Sequence, residues 1–536
     1  MDDIIDFIVI GSGPTGAEVA RTISDAGKHA TMIDVGINAE QADNTDNDFL
    51  SIRENYTNQK DLFLGKFYES VPWGDIKTGA QLTPNRKFII DLVDIITPII
   101  SSNFFPMESL AYGGLGSGWG LGCYSYSKSE IEQIGLNYNL MNDAYNNLAK
   151  YVGIASPDGD AFKYCMNNSQ YLLPKLKMDN SISKLYDIYL KKREELNNKG
   201  LFMGFPPLAI ITENHNDRNK CNYFDMDFYT DVNKHSYRPW LTTNKLIEKG
   251  SLNYISNHLV IDFKQDADGI VSVNTTNIKT LAKVTYKCRK LIIASGALGT
   301  ARILLRSFKD KLSRLSLLSN DYTYMPCLNL KMLGKPLEQF KTSMAQAVMF
   351  YDPTQKNENP VSIALFTYRS LLLYKLIKES PLNFKDGLSI MNFLQSAFVI
   401  AGIHHPDSES SKKYCNLVKN DNQYTSDALF VSFSQKKEIM QRDNDNEKKL
   451  MSLMRKLYCF PIKRIKAGNG SSIHYAGILP FNTSNNGVIL NEKGNINISN
   501  NVYIADGSGF KYLPAKGITF TLMANAHNVA KNAINS

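Results

Sequence analysis

The sequence predicts an α/β protein with an α+β second lobe, and three observations carry that prediction. The chain opens as strand, glycine turn, helix and strand: IIDFIVI at 4–10, GSGPTG at 11–16, a helical composition over 17–26, and HATMID at 29–34. A parallel βαβ start of this kind needs helices on its faces. Between about 310 and 460 the pattern changes to strand-like segments (344–351, 361–368, 429–434) interleaved with amphipathic stretches, which predicts a separate antiparallel lobe. The last 70 or so residues return to glycine-rich loops, a strand at VYIA (502–505) and a closing helix over about 518–533.

The remaining elements follow in order. Residues 37–105 are polar and irregular and read as an excursion over the first domain. A second glycine cluster, GGLGSGWGLG at 113–122, is too glycine-rich for helix or strand, so its backbone is expected to approach something closely. A helix is expected within 128–152, a hairpin over 253–275 with its turn at 266–269, and a buried strand LIIA (291–294) running through Ser295-Gly296 into a helix at 301–307.

Composition sets the outer limits. With 43% hydrophobic and 21% charged residues over 536 positions, the chain is an ordinary globular protein long enough for two to four domains. The net charge of +8 is spread among interleaved acidic residues, which argues against a nucleic-acid partner. Seven cysteines lie at least 39 positions apart, so no zinc or dithiol motif is written, and no metal is expected. Three aspartates in the first six residues leave no basic n-region for a signal peptide, and no apolar run reaches 18 residues; a cytoplasmic protein is expected.

The first glycine turn carries chemistry. Gly11 permits a tight turn, Gly13 lets backbone approach a pyrophosphate, and Gly16 lets helix and strand pack. Pro14 and Thr15 open the helix, whose N-terminus attracts phosphate charge. Asp34 ends the second strand, where a carboxylate accepts hydrogen bonds from ribose hydroxyls and repels a 2′-phosphate, which leaves FAD or NAD.

Several segments together resemble the glucose-methanol-choline (GMC) oxidoreductases, in particular their pyranose-oxidase-like and bacterial dehydrogenase branches. IVIGSGPTGAEVA resembles the family's FAD loop, YGGLGSGWG (112–120) its second flavin-contacting loop, and KLIIASGALGTARILLRS (290–307) its strand-turn-helix beside the cofactor. SIHYAG (472–477), GVILNEKGNINISNNVYIADGSGF (487–510) and LPAKGITFTLMANAHNVA (513–530) complete the order. The resemblance implies a Rossmann-like FAD-binding domain of the GMC type over 1–125, 220–310 and 460–536, and an antiparallel-sheet substrate domain over 126–219 and 311–459. It also implies cofactor contacts from the first turn and Asp34, from Gly113, Gly114, Gly116, Ser117, Trp119 and Gly120, from Ser295 and Gly296, and from Asp506, Gly507, Gly517 and Ile518. Asp506 reads either as a ribityl- and phosphate-side contact or as a plain strand-end turn.

The activity so implied is oxidation of an alcohol by hydride transfer to flavin N5, and His474 stands where the family places the base. The family's partner position, a second His or Asn, falls on Lys516. That lysine either holds the substrate oxygen, stabilises negative charge or serves as a base, or else it is a solvent-facing loop residue. GLGSGWG lacks the histidine of the covalent-flavin branch, so FAD is expected to be non-covalent. His404 and His405 are neighbours that point in different directions, and His527 reads as surface or helix packing. The expected substrate is a sugar or polyol, by analogy with the carbohydrate-oxidising branches. The electron acceptor is open, with a quinone-using dehydrogenase preferred to an oxidase. Residues 370–392 mix Leu and Ile with Lys and read as a core-facing helix in preference to a membrane-surface one. Two other readings stay open: a non-redox flavoprotein such as a lyase or isomerase, and a catalytically silent FAD-binding protein.

Overall fold

The structure, a computed structural model, describes residues 4–38, 55, 57–63, 65–66, 84–168, 170–223, 231, 234–338, 340–367, 377 and 380–536. Much of the expected 37–105 excursion, and most of 370–379, lies outside them. The first sheet is built around Ile5–Ile10, flanked in parallel by Ala30–Ile33 on one side and Lys283–Ile293 on the other. Leu252–Ile255 extends it beyond the former and Ser499–Ile504 beyond the latter, again in parallel. The hairpin His258–Gln265 and Val271–Asn277 pairs antiparallel with Lys283–Ile293.

Period-two alternation assigns the two faces. Phe7 and Val9 pack with Val19 and Ile23 of helix Pro14–Asp25 and with Ala526 and Val529 of closing helix Thr519–Ile534. Ile8 and Ile10 face the opposite core, which takes in Ala297, Ala301 and Leu304 of helix Gly296–Ser307. With both faces covered, these parallel strands are near-continuous apolar runs, as such sheets require.

The second sheet is antiparallel, in the order Cys459–Pro461, Asp321–Asn329, Phe398–His405, Val361–Thr367, Ala347–Tyr351, Leu201–Phe205, Asp158–Gly159. One face buries Met325, Cys327, Val399, Ala401 and Ile403 against Ile182, Leu185, Leu450 and Met454 of helices Asn180–Lys191 and Lys437–Lys456. The other face carries Tyr322 and His404, which are register partners. A two-residue antiparallel pairing, Leu318–Ser319 with Tyr475–Ala476, ties the entry of this sheet to the tail of the chain.

Two expectations change. The helix expected within 128–152 is two helices, Lys128–Ile134 and Tyr138–Val152, because Gly135 takes φ +97° and caps the first. The second of these packs on the closing helix, with Tyr145 stacked on Phe520 and its hydroxyl 2.7 Å from Thr521 Oγ1. In the 370–392 stretch, helix Phe384–Leu394 buries Gly387 and Met391 while Phe384 and Phe393 are exposed. No helix among the described residues is long and apolar enough to cross a membrane. All seven cysteines are free and buried, and no cluster among the described residues is suited to a metal ion.

Candidate active site

An open cleft runs along the carboxyl ends of the parallel strands, with about 1450 Å³ of empty space counting its mouth, as expected for ligands of such sheets. Its floor is the first glycine turn. Gly11, at φ +94°, passes so close to the strand carrying Ala294 that a Cβ would stand 2.8 Å from that residue's carbonyl oxygen. At Gly16 a Cβ would stand 1.9 Å from the Gly11 carbonyl oxygen, so only glycine lets the helix leave the turn. Gly13 differs: a Cβ there would meet nothing within 4 Å, because it would enter the cleft. Helix Pro14–Asp25 has no side-chain cap, so its first N–H groups are left for a ligand.

Asp34 sits at the cleft wall, accepting hydrogen bonds from the Ser12 hydroxyl and from Tyr254 at 3.1 Å. Burial lifts its carboxyl to about 6 against those donors. Ser12 Oγ also accepts the Gly113 N–H at 2.8 Å, which fastens the second glycine loop to the first. Gly113 has φ +85°, and Gly116 packs so closely on Pro14 and Pro239 that a Cβ would meet them at 2.8 and 2.5 Å. Trp119 borders the cleft and donates its Nε1–H to the Tyr237 carbonyl at 2.9 Å.

Of the residues expected at the cofactor, Gly11, Gly13, Pro14, Thr15, Asp34, Gly114, Gly116, Trp119, Ser295, Gly296, Asp506, Gly507 and Ile518 line the cleft. Gly16, Gly113, Ser117, Gly120 and Gly517 are not among the lining residues; Ser117 braces the second loop through Tyr112 O at 2.7 Å, and a Cβ on Gly517 would meet the Tyr124 ring at 3.0 Å. Asp506 lines the cleft, yet its carboxylate accepts from Thr300 Oγ1 at 2.6 Å and from Ser508 N and Oγ at 2.9 and 2.6 Å. The sequence reading missed Glu108 and Arg302, a bidentate pair at 2.8 Å on the same wall: Arg302 lies in the 290–307 segment, but nothing in the chain pairs it with Glu108, 194 positions away.

His474 is not itself among the residues lining the cleft, though its chain neighbours Ile473 and Tyr475 are. The pairing of Ser319 with Tyr475 sets the preceding His474 beside the following Asn320. Its Nδ1 is 2.9 Å from Asn320 Oδ1, and Asn320 Nδ2 donates to the carbonyls of His405, Pro514 and Leu513 at 2.8, 3.1 and 3.3 Å. Three carbonyl acceptors fix the amide's orientation, so Oδ1 accepts and His474 Nδ1 carries the proton. The Nε2 lone pair is thereby left free. Burial pushes this imidazole from 6.5 down to about 4. Ile473 takes φ +62°, a strained setting for a β-branched residue that costs about 1–3 kcal/mol.

Lys516 is placed elsewhere. Its Nζ donates to Glu130 Oε2 at 2.7 Å, both side chains are 1% exposed, and the ring of Tyr126 lies 6.0 Å away. It is neither solvent-facing nor part of the cleft lining. His527, expected at the surface or in helix packing, is buried and pairs with Glu18 at 2.9 Å. His404 and His405 do point in opposite directions: His405 meets Glu447 at 3.0 Å, whereas His404 stacks on His474 at 5.0 Å between centroids.

The two-sheet architecture with a cleft at the parallel strands is the glucose-methanol-choline oxidoreductase fold. Among solved structures the chain is similar to pyridoxine 4-oxidase from Mesorbium loti, with a TM-score of 0.58 and 12% identity over 99% of each chain. No family model and no curated protein matches the sequence.

Proposed function

We propose that this chain is a flavoprotein oxidoreductase that binds FAD non-covalently in the glycine-turn cleft and oxidises the hydroxyl-bearing carbon of a small alcohol, with His474 as base. The observation that carries the reading is the Asn320 lock, which gives a neutral imidazole a defined tautomer with Nε2 free to take a proton. The cleft fits the cofactor's shape and charge. Gly13 leaves room for a pyrophosphate at an uncapped helix N-terminus, and Asp34 is a buried carboxylate suited to ribose hydroxyls. The second loop around Gly114 and Gly116, with Ser295, Gly296 and Gly507, would flank the remainder. FAD supplies the electron acceptor for the carbon-bound hydrogen. The chain supplies the rest: His474 takes the hydroxyl proton, and Asn320 keeps Nδ1 protonated so that only Nε2 can do so.

The fold shared with a protein named as an oxidase supports alcohol oxidation. A sugar or polyol is the preferred substrate class, with a quinone or other acceptor taking the electrons onward. The purified protein should be yellow, and acid precipitation should release the colour into the supernatant. A panel of sugars and other alcohols should bleach it anaerobically; reoxidation by air or by a quinone then identifies the acceptor. A colourless protein that takes up no FAD would refute the reading.

A further inference from the structure

The strand Phe398–His405 alternates its side chains, so His405 reaches Glu447 and Asp443 of the covering helix, at 3.0 and 3.4 Å, while His404 emerges on the opposite face. There His404 lies between two rings: Tyr322 at 4.7 Å between centroids and His474 at 5.0 Å with an interplanar angle of 20°. The Tyr322 ring occupies the place of a side chain at 402, where a Cβ would stand 2.7 Å from its hydroxyl, and this fixes the flank of the stack. His404 is only half-buried, and neither ring nitrogen makes a hydrogen bond to any described residue. His405, its neighbour, is hydrogen-bonded to Glu447 through Nε2, whereas His404 has no such partner among the described residues on either nitrogen.

We infer that His404 is a second catalytic residue of the site: its ring N–H donates a hydrogen bond to the substrate oxygen whose proton passes to His474 Nε2. The inference rests on the proposed alcohol oxidation. In the step it serves, the substrate O–H bond breaks, an N–H bond forms on His474, and the charge left on oxygen is met by the donor on His404. With the rings 5.0 Å apart between centroids and 20° from parallel, the inference requires one hydroxyl to meet an edge nitrogen of each. Burial, with His474 and His405 opposing charge on it, holds His404 well below 6.5, and burial alone lowers His474, so His404 acts as a neutral donor and His474 as a neutral acceptor. The titratable groups facing it are His474, His405 and Tyr322. The assignment fills the partner role that Lys516, bound to Glu130, leaves vacant, and fills it from the substrate sheet.

Three variants test it. His404→Phe keeps a stacking ring without the donor, while His404→Asn and His404→Gln between them offer an N–H near either ring nitrogen. With an alcohol that bleaches the wild-type flavin, His404→Phe should slow anaerobic reduction at saturating alcohol by about 100-fold with FAD retained, and one of the two amides should recover most of that. Sodium acetate supplies an anionic oxygen and a readout free of turnover: titrated below neutrality, it should perturb the visible absorbance of bound FAD. Its Kd should rise about 10-fold in His404→Phe and stay near wild type in the better amide variant. Wild-type reduction rates and acetate affinity in His404→Phe, or equal losses in all three variants, would overturn the assignment. If no alcohol bleaches wild type, the proposed function fails, and acetate alone decides the placement of His404.

Discussion

Replacing Asn320 by Asp keeps the side-chain shape and puts a carboxylate oxygen beside His474 Nδ1. Like Asn320→Leu, it also removes the donor to three carbonyls, so the charge effect on His474 is the difference between the two variants. The carboxylate would take the place of the amide oxygen 2.9 Å from Nδ1 and would favour the imidazolium. An opposite charge at such range moves a pKa by about 1–3. Starting from about 4, His474 would titrate near 5–7. Only neutral His474 accepts a proton, so the rate of anaerobic flavin reduction in wild type should be flat from neutrality down to about pH 5 and fall near 4. In Asn320→Asp the acid limb should move up into the range 5–7, with the limiting rate at high pH less affected. Stopped-flow bleaching of the bound flavin across pH reads this directly. Asn320→Leu is the control for structure: it strips a donor from three carbonyls and should cost stability on the order of 2–3 kcal/mol. An Asn320→Asp profile superimposable on that of wild type would mean that His474 is not the titrating base.

The remaining predictions concern stability and the cradle. His474 binds its proton less readily folded (about 4) than unfolded (6.5), so its contribution is present above 6.5 and lost as pH falls through that window. The loss is at most about 3.5 kcal/mol, since 6.5 − 4 = 2.5 and each pH unit is worth about 1.4; denaturant melts at several pH values should show a smaller acid slope in His474→Phe. Gly13→Ala should leave the apoprotein's melting temperature unchanged while weakening FAD binding, whereas Gly16→Ala should destabilise the apoprotein by about 3 kcal/mol, because only the latter Cβ collides with protein. Lys516→Met should cost about 3–5 kcal/mol by stranding the Glu130 carboxylate, and adding Glu130→Gln should recover much of it, as measured by chemical denaturation.

What the sequence discloses here is what lies within one turn of chain. The spacing of Gly11, Gly13 and Gly16 is a local mechanical statement, since each glycine's reason is a collision or an opening within a few ångströms, and the strand, turn and helix follow from it. Gly135 was equally local, a cap inside an apolar periodic run, and periodicity masked it. The partners of His474 belong to another category. Asn320 lies 154 positions away, and His404 sits on a strand reached only through the antiparallel register of Tyr322 with His404. Neither residue type nor spacing marks them, because their roles come from the two-residue pairing of Leu318–Ser319 with Tyr475–Ala476 that fastens two sheets together. Lys516 shows the reverse hazard. Counting along the chain brings it to a partner position, but its ammonium finds Glu130, itself half of a capping box with Ser127 that opens helix Lys128–Ile134. A buried cation goes to the carboxylate that compensates its desolvation, and at that position the folded chain offers one. The chemistry expected at 516 therefore has to be sought on whatever surface faces His474 across the stack, and that surface is the strand bearing His404.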